Sequence, residues 1–546
     1  MNRIKVMYVS NEAGIGGAMQ SLLDMIKSLE KQVNPVVLLP SKGEAESWLR
    51  TREIPYFIVP YQMSYGKIGH QNRTVVDKLF VNNYAAAWKI TEIIKNEKIQ
   101  MVHSNSIVTN VGAIAALMAG VPHIWHIREL LEEDFESEIY DKELAGRLHT
   151  HADAFVSISE VVKKSYHEKY GLKSTAIYDG IDPDRYKTDL DLQKDRHLFL
   201  LAGFIQPGKG QWEAVRAFEI LAAAGHKDLR LLIVGKSSDK YVWSLKKYIK
   251  AKRLEDTIHI FREKQDLSAL RKQCMFSLTT SKMEALGRIT IEAMLAGNIV
   301  IGANSGGTLE IIGERRDRGY LYQQGDAASL ASVIQEVIAQ SEAQLCNVQK
   351  NAQEYAAGQF HLEKYAKEIL ILYKNASEKK TSWNINARNK LVEDLRVRYQ
   401  YLMERQGFVE ERKDFDKWHR LFLINNRWLQ IRQQGNSLAD FFTKNKIKQI
   451  AIYGMGHLGR SLYDELEESD VTVRYAIDRN PGTAMEVLKI VSPDGELEEV
   501  DAVVITALEA EEIKIYLEKK CSYEVIKLTD ILTDIEEDRG KREARG

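Results

Sequence analysis

The sequence lacks several features that would assign it at once to a special class of protein. Its three cysteines, Cys274, Cys346 and Cys521, are scattered without metal-ligand spacing, which excludes a disulfide framework and a cysteine-bound metal. We expect three reduced thiols in a cytoplasmic protein. No apolar run approaches the roughly 18 residues of a transmembrane helix. The first residues, MNRIKVMYVSNEAG, also lack the apolar core of a signal peptide.

An excess of charge is absent too. The formal net charge of -1 provides no overall attraction to nucleic acid or anionic lipid, so we expect no nucleic-acid partner and at most a peripheral, local membrane contact. No repeat of solenoid period occurs. What remains is an ordinary globular composition, 44% hydrophobic and 28% charged, in a chain of 546 residues. A chain of this length is too long for one core and predicts several domains.

The first two thirds of the chain alternate short apolar segments with amphipathic ones. Residues 1–180 open with a strand pattern, IKVMYVS, then the glycine loop NEAGIGGAM and the helix pattern QSLLDMIKSLEKQ. Residues 181–375 repeat the arrangement from HLFLLAGFIQPGKGQ onward. Helices between short apolar strands predict an α/β fold with two tandem Rossmann-like, doubly wound domains. Ligands of such sheets bind at the carboxyl ends of the strands, so we expect a cleft there.

The remaining third changes character twice. Residues 376–446 are charged and helix-forming, include Trp418 and Trp428, and are predicted to be a helical connector. We favour packing of its aromatic residues on a neighbour, and an oligomer interface or a basic membrane-facing surface stays open as an alternative. Residues 447–535 predict a small Rossmann-like module. The charged tail 536–546 is expected to be disordered.

The most informative stretch is SKMEALGRITIEAMLAG, in which Glu284 and Glu292 lie on either side of a glycine turn. A buried strand feeds the turn, and a helix begins after Gly287. The backbone N–H groups of Gly287, Arg288 and Ile289 therefore point into the cleft, where a helix N-terminus binds phosphate. Glu292 lies one turn inside the helix, within reach of ribose, and Glu284 lies outside it, toward a sugar. Two glutamates alone are more often surface carboxylates.

Context strengthens this interpretation, because the chain resembles the retaining glycosyltransferases of family 4. The stretch EALGRITIEAMLAG carries that family's pair of glutamates, and SGGTLE carries its following glycine loop. Other matching segments, in order, are GIGGAM, WHIRE, SISE, IYDGID and GFIQPGKGQ. The resemblance covers residues 1 to about 375 and implies the GT-B fold, which consists of two Rossmann-like domains.

The resemblance also implies roles for individual residues. His126 would lie by the donor sugar near the reacting centre, Lys209 would neutralise the departing diphosphate, and Glu284 would contact sugar hydroxyls. Glu292 would hold the ribose. The remaining donor-binding positions are glycine-loop and turn residues: Gly16, Gly17, Gly287, Arg288, Ile289, Ser305, Gly306 and Gly307. Glycine at 16 and 17 would let the backbone approach the diphosphate. Without the resemblance, His126 reads as a core histidine.

One position departs from the family pattern. The family usually begins the lysine motif with Gly-Arg, whereas this chain has Gly203-Phe204. Loss of one charge-assisted contact costs about 1.5–3 kcal/mol if nothing replaces it. Arg288 is a candidate replacement from the other side of the cleft. Asp182, in the turn YDGID, is not assigned to a metal, because retaining enzymes of this fold need none.

The third unit carries a second glycine pattern, IAIYGMGHLGRSL. Gly454, Gly456 and Gly459 lie between a predicted strand and helix, and Asp478 closes the next strand. This context is that of a dinucleotide-binding fingerprint, with NAD(P) or another nucleotide as the ligand. No catalytic acid or base accompanies it, so a binding or regulatory module is favoured over a dehydrogenase.

Together these patterns predict a retaining glycosyltransferase that needs no metal or other cofactor for transfer. The donor would be a nucleotide-diphosphate-sugar, and the acceptor a glycan or lipid-linked acceptor of cell-envelope synthesis, handled in the cytoplasm or at the inner membrane face. A non-catalytic sugar-nucleotide or dinucleotide-binding scaffold, to which Phe204 lends support, and a GT-B sugar-nucleotide epimerase are the alternatives. Glycogen and starch synthases would carry a lysine in the first glycine loop, and GIGGAM has none.

Overall fold

The computed structural model describes residues 3–70, 72–190, 193–237, 239–262, 266–379, 384–405, 424, 427–428, 431–432, 436–467, 469–479 and 488–543. The chain divides into two compact units, Met1–Leu402 and Met403–Gly546. Most of the predicted connector beyond residue 405, including Trp418, lies outside the described residues. Among the described helices, none combines the length and the apolarity that spanning a bilayer requires.

The first unit begins with an α/β half. Its strands are β1 Ile4–Val9, β2 Val33–Leu39, β3 Tyr56–Ile58, β4 Tyr65–Lys67, β5 Met101–Ser104, β6 His123–Ile127, β7 Ser137–Ile139, β8 Ala154–Ser157 and β9 Thr175–Ala176. Seven of them form a parallel sheet in the order β3-β2-β1-β5-β6-β8-β9, and β4 pairs with β7 as a separate antiparallel ribbon. The helices of this half are α1 Gly17–Leu29, α2 Ala45–Thr51, α3 Arg73–Asn96, α4 Val111–Ala119, α5 Leu131–Phe135, α6 Lys142–His149 and α7 Glu160–Tyr170.

A second parallel sheet follows in the same unit. It consists of β10 Asp195–Ala202, β11 Arg230–Val234, β12 Ile258–Phe261, β13 Cys274–Thr279, β14 Ile299–Ala303 and β15 Tyr320–Tyr322, in the order β12-β11-β10-β13-β14-β15. Its helices are α8 Pro183–Tyr186, α9 Gln211–Ala223, α10 Asp239–Ala251, α11 Leu267–Gln273, α12 Arg288–Leu295, α13 Gly306–Ile312, α14 Ala327–Ile338 and α15 Glu342–Gln359. The predicted pair of doubly wound domains is thus confirmed.

Two further helices, α16 Leu362–Lys379 and α17 Ile385–Arg405, end the first unit's chain. Helix α16 does not pack on the second sheet that precedes it. Its buried Tyr365, Ile369 and Tyr373 belong to the apolar core of the first sheet. Its apolar stripe predicted a helix correctly but carried no information about which sheet would cover it.

The second unit is the smaller α/β module. Helix α18 Leu438–Lys444 leads into strands β16 Gln449–Tyr453, β17 Thr472–Ile477, β18 Ile490–Val491, β19 Ala502–Ile505 and β20 Glu524–Lys527, with helices α19 His457–Leu466, α20 Ala510–Lys520 and α21 Leu528–Glu543. The strands form one parallel sheet in the order β18-β17-β16-β19-β20. This order is a Rossmann-like half, as predicted.

The expected disorder of residues 536–546 is wrong for residues 536–543, which continue helix α21. The start of this helix is held by the core of the module, in which Ile531 and Leu532 are fully buried. Acidic residues farther along the helix are paired, because Lys444 binds Asp534 and Asp538. Core packing and these pairs stabilise a segment whose composition alone favours disorder. Residues 544–546 lie outside the described chain.

Candidate active site

Lys209 and Glu284 meet at the carboxyl edge of the second sheet. Lys209 ends a short 3-10 helix, Pro207–Lys209, after β10, and Glu284 lies in the loop after the neighbouring strand β13. The Nζ of Lys209 is 2.8 Å from Oε1 of Glu284, which also accepts a hydrogen bond of 2.6 Å from the Ser281 hydroxyl. Both charged side chains keep about a fifth of their surface exposed, 22% and 20%. The pair is therefore open to a ligand.

A third charged residue, Asp134, comes from α5 in the first half of the unit. Burial raises its pKa to about 6, and Glu284 adds to this shift although Lys209 opposes it. For Lys209, burial disfavours the charge, but Glu284 and Asp134 outweigh burial and raise the pKa. Two carboxyl groups and one ammonium group thus interact across the two halves. We refer to Asp134, Lys209 and Glu284 as the open cluster.

Sequence reasoning missed Asp134. It lies in the acidic run LLEEDFESE, where nothing distinguishes one carboxylate from the next. Its neighbours Glu132 and Glu133 both pair with Lys169 and are thereby satisfied locally. Only the tertiary structure brings Asp134, and not its neighbours, to the lysine.

The predicted glycine turn forms before α12. Gly287 adopts the left-handed conformation, with φ 92°, and the helix begins at Arg288. Because Arg288 and Ile289 are its first residues, their N–H groups have no acceptor four residues back within the helix. The predicted anion site at this helix start therefore has the required backbone geometry.

The second glycine loop packs directly on the first. The N–H of Gly307 donates to the carbonyl oxygen of Glu284 over 2.7 Å. A Cβ atom on Gly306 would lie 2.5 Å from the backbone carbonyl oxygen of Glu284. A Cβ atom on Gly307 would lie 2.3 Å from the backbone carbonyl oxygen of Leu286. These glycines are needed for the contact between the loops, and their position beside a donor cleft stays a prediction.

Two side chains assigned to the donor site contain polar atoms without a hydrogen-bond partner among the described residues. They are Nε2 of His126 and Oγ of Ser305, both buried. The other ring nitrogen of His126 lies 3.2 Å from Nε2 of His103. Burial, followed by the charge of Arg128, lowers the pKa of His126 well below its ordinary value, so the ring is neutral. Unpartnered buried atoms of this kind are rare and call for an explanation.

The side chain of Arg288 is occupied elsewhere. Its guanidinium donates to the Ser21 hydroxyl over 2.9 Å and binds Asp24 over 2.8 Å, both on α1. The Ser21 hydroxyl donates in turn to Asp179 over 2.7 Å, and Asp179 binds the buried Arg128 over 2.7 Å. We refer to these five residues as the closed cluster. In this arrangement, Arg288 links the two halves, and its replacement of the arginine missing at Phe204 stays a prediction.

Glu292 is likewise paired. Its Oε2 lies 2.6 Å from a guanidinium nitrogen of Arg271 on α11, and the arginine side chain is only 3% exposed. The predicted contact of Glu292 with ribose stays a prediction, and a ribose hydroxyl would join or replace this ion pair.

The first glycine loop has open space at one of its two predicted positions. A Cβ atom on Gly17, the first residue of α1, would have no protein atom within 4 Å. At Gly16 it would lie 2.9 Å from the carboxylate of Glu12, which accepts a hydrogen bond from the N–H of Met19. The loop therefore leaves room for a ligand at Gly17, whereas Glu12 fills the space beside Gly16. Phe204, in the place of the family arginine, is 52% exposed.

The four predicted residues of the second unit do come together. Gly454 has φ 95°, and Gly456 is the N-cap of α19. A Cβ atom on Gly459 would lie 2.1 Å from the carbonyl oxygen of Gly454, so glycine there permits close packing of helix on loop. Asp478 accepts a hydrogen bond of 2.8 Å from the N–H of Met455 within this loop.

The two parallel α/β halves of the first unit, with charged groups from each at the carboxyl edge of the second sheet, have the GT-B fold. Solved structures show the same fold at low sequence identity. HepE of Anabaena in complex with UDP-glucose has a TM-score of 0.56 at 21% identity, covering 68% of this chain and 100% of that one. Sucrose-phosphate synthase of Thermosynechococcus elongatus has a TM-score of 0.55 at 16% identity, covering 68% and 98%.

Two sequence families match adjoining parts of the chain. Residues 15–185 match the family described as Glycosyltransferase Family 4, and residues 182–359 match that described as Glycosyl transferases group 1. An uncharacterized glycosyltransferase of Methanocaldococcus jannaschii is 22% identical over 342 residues, which is 60% of this chain and 92% of the relative. A second, from Haemophilus influenzae, is 22% identical over 325 residues, 58% and 86% of the two chains. These matches support a glycosyltransferase of the GT-B fold.

Proposed function

We propose that the chain is a retaining glycosyltransferase that moves a sugar from a nucleotide-diphosphate-sugar to a glycan or lipid-linked acceptor of cell-envelope synthesis. The observation that carries the proposal is the open cluster, in which Lys209 and Glu284 lie 2.8 Å apart at the sheet edge and interact with Asp134. One cation between two carboxyl groups suits a reaction in which a diphosphate leaves and a sugar is held by its hydroxyls. HepE, which has the same fold, binds UDP-glucose.

In this proposal the diphosphate lies at the start of α12, against the backbone of Gly287, Arg288 and Ile289, and is neutralised by Lys209. Glu284 then exchanges its bond to Lys209 for sugar hydroxyls. The unpartnered Nε2 of His126 and Oγ of Ser305 acquire ligand partners. The other donor contacts would be Glu292 on the ribose and the backbone of Gly16, Gly17, Gly306 and Gly307 around the cleft.

The chemistry would proceed by departure of the diphosphate. As the bond between C1 of the sugar and the diphosphate oxygen breaks, positive charge develops on the sugar and negative charge on the leaving group. Lys209 and the helix N-terminus stabilise that negative charge, which is the main contribution the protein makes. The acceptor hydroxyl attacks on the face from which the diphosphate leaves and passes its proton to a diphosphate oxygen, so the anomeric configuration is retained. The cation needed at the leaving group is Lys209, and no metal ion is required.

Donor consumption measured with a panel of UDP-, GDP- and other activated sugars tests this function. We expect hydrolysis or transfer with one member of the panel and an anomeric product of unchanged configuration by NMR. An inverted product would reject the retaining mechanism. Epimerised donor without transfer would favour the epimerase, and binding of donors without turnover would favour the non-catalytic scaffold, to which the uncharged Phe204 lends support.

For the second unit we propose a nucleotide-binding or regulatory role, with phosphate at Gly454 and Gly456 and ribose hydroxyls on Asp478. NAD(P) or another nucleotide would be the ligand. Calorimetry of the full chain with NAD, NADP and sugar-nucleotides, compared with the variant Asp478→Ala, tests it. A heat of binding that is present in the unaltered protein and lost in Asp478→Ala supports the role. Identical titration curves of the two proteins contradict it. We further propose a location in the cytoplasm or at the inner membrane face. For residues 376–446 we favour packing within the chain, as for Trp428 in the core of the second unit, with self-association as the alternative.

A further inference from the structure

Helix α10, Asp239–Ala251, has two different faces. One face packs Val242, Leu245 and Ile249 into the core of the second sheet. On the opposite face, Trp243, Lys246, Lys247 and Lys250 are exposed. Their spacing of three to four residues places them in one stripe along the helix. The helix is thus anchored by its apolar side and presents a stripe of one aromatic and three basic side chains to the outside.

Trp243 is unusual within the described chain. Its relative exposure of 63% is the largest among the exposed large hydrophobic side chains. The ammonium of Lys247 lies 5.1 Å from the centroid of its ring, a cation–π contact that leaves the rest of the indole uncovered. A single exposed apolar side chain needs no explanation. An exposed tryptophan within a row of lysines does need an explanation, because lysine side chains alone are enough to keep a helix face in contact with water.

After its first residue, Asp239, α10 carries charge of one sign. From Lys240 to Arg253 the sequence has six basic residues and no acidic residue, in a chain whose net charge is -1. Among these, Lys252 is neutralised by Glu219 at 2.6 Å. Lys240, Lys246 and Lys250 form no ion pair with any residue that the structure describes. The positive charge of this helix is therefore local, and little of it is neutralised by ion pairs with described residues.

We propose that this stripe, Trp243, Lys246, Lys247 and Lys250, docks the protein on the surface of a bilayer that contains anionic phospholipids. Tryptophan prefers the headgroup region, where its ring is partly dehydrated and its N–H stays hydrogen-bonded. Lysine side chains extend from the helix toward the anionic headgroups while their stems cover apolar surface. A fixed helix that carries both lies in the plane of the interface.

The position of α10 connects this surface with the cleft. The helix follows β11, so it begins at the same carboxyl edge of the second sheet at which Lys209 and Glu284 lie. The surface itself stands on its own contacts and does not depend on the proposed transfer reaction.

Sedimentation of the full chain with vesicles tests the proposal. The vesicles are of phosphatidylcholine alone or mixed with phosphatidylglycerol, at 0.1 M salt. We expect binding to the mixed vesicles only, because each lysine near an anionic surface contributes about fivefold in affinity. The double variant Lys246→Gln/Lys250→Gln should bind roughly 25-fold more weakly. Trp243→Ala should weaken binding about tenfold, since an apolar side chain is no longer buried.

A matched control is available on α20 of the second unit, where Lys514 and Lys519 are interspersed with Glu511, Glu512 and Glu518. The double variant Lys514→Gln/Lys519→Gln removes the same charge and should bind vesicles like the unaltered protein. Equal thermal unfolding of all variants shows that they fold. Equal vesicle binding of all variants, or equal binding of the unaltered protein to neutral vesicles, would overturn the proposal. So would binding of heparin or RNA through these residues without vesicle binding.

Discussion

The first unit contains two clusters in which acidic and basic side chains meet, and the clusters differ in whether these charges are buried in mutual ion pairs. The closed cluster, Ser21, Asp24, Arg128, Asp179 and Arg288, satisfies its charges internally. Arg128 and Asp179 are each 3% exposed in the side chain and lie 2.7 Å apart. In the open cluster, Lys209 and Glu284 keep about a fifth of their surface, and Asp134 has an ionised form that burial disfavours.

This difference separates a cluster whose charges stabilise the fold, the closed cluster, from one whose charges can bind a ligand, the open cluster. For Asp179, burial alone would disfavour the charge, but Arg128 and Arg288 outweigh it and lower the pKa, so this carboxylate gains from the fold. For Asp134 the balance is reversed, and the fold raises its pKa to about 6. Groups whose charged state the fold disfavours are the ones expected at sites that act on ligands. The sequence motifs contain residues of both clusters, such as Arg128 and Lys209, and do not distinguish the two kinds of site.

The largest expected effect is the loss of a buried partner in the closed cluster. Asp179→Ala leaves the guanidinium of Arg128 buried and unpaired, so we expect the free energy of unfolding of the first unit to fall by about 3–5 kcal/mol. Denaturant unfolding measures it. Because the pKa of Asp179 is lowered, the difference should be full at neutral pH and shrink as the pH falls through that lowered pKa. Lys27→Ala, which breaks a more exposed pair with Asp182, is the control and should cost less than about 1 kcal/mol. Equal losses would contradict the comparison.

The next effect concerns the open cluster and activity. Lys209→Ala removes the cation at the proposed leaving group, and we expect a fall in turnover of about 10²–10³-fold with little change in stability. The rate of donor consumption by the purified variant measures it. Lys367→Ala on α16 is a matched control, because this lysine is exposed and lies outside the open cluster. If both variants lose activity equally, the role of Lys209 is wrong.

Arg288→Lys distinguishes the two clusters directly. A lysine lacks the planar fork with which the guanidinium donates to Ser21 and Asp24 from two separate nitrogens, so stability should fall by about 1.5–3 kcal/mol. Donor affinity, measured by calorimetry with the unaltered protein as reference, should change much less than it does in Lys209→Ala. A large loss of donor affinity with unchanged unfolding would instead place the Arg288 side chain on the diphosphate.

The smallest effect is a pH dependence of stability at Asp134. Its folded pKa of about 6 lies above the ordinary aspartate value, so the favourable neutral form is fully present below the unfolded pKa and is lost as the pH rises through 6. Asp134→Asn should therefore stabilise the protein by about 1–2 kcal/mol at pH 8, after allowance for partial exposure, and have no effect near pH 3. Thermal unfolding at the two pH values measures it. Glu136→Gln, at an exposed neighbouring carboxylate, is the control variant for this measurement.

Much of the architecture was predictable because its causes are local. Short apolar strands such as HIWHI are fully buried as β6, and a glycine with positive φ precedes α12 where the sequence places a turn. The glycine pattern of the second unit likewise brings Gly454 and Asp478 together. Hydrophobic period and glycine conformation act over a few residues, so a single sequence contains their information.

The candidate site was predictable only in part. The family resemblance named Lys209 and Glu284 for one donor site, but their pairing is shown only by the structure, in which β10 and β13 are neighbours. The partners of Arg288 and Glu292 do not follow, because each is chosen from many charged residues elsewhere in the chain. Asp134 shows most clearly that the sequence does not fix the partner of a charged residue, because the adjacent Glu132 and Glu133 pair with Lys169 instead.

The amino-acid sequence by itself determined the α/β class, the two tandem domains with their glycine turns, and the identity of the lysine and glutamate at the sheet edge. The tertiary structure alone decided which charged side chains are buried in ion pairs and which stay exposed to a ligand. It also decided on which sheet α16 packs. The physical reason is range: backbone conformation and apolar period are set within one element, whereas burial and ion pairing depend on groups that the fold brings together from distant parts of the chain.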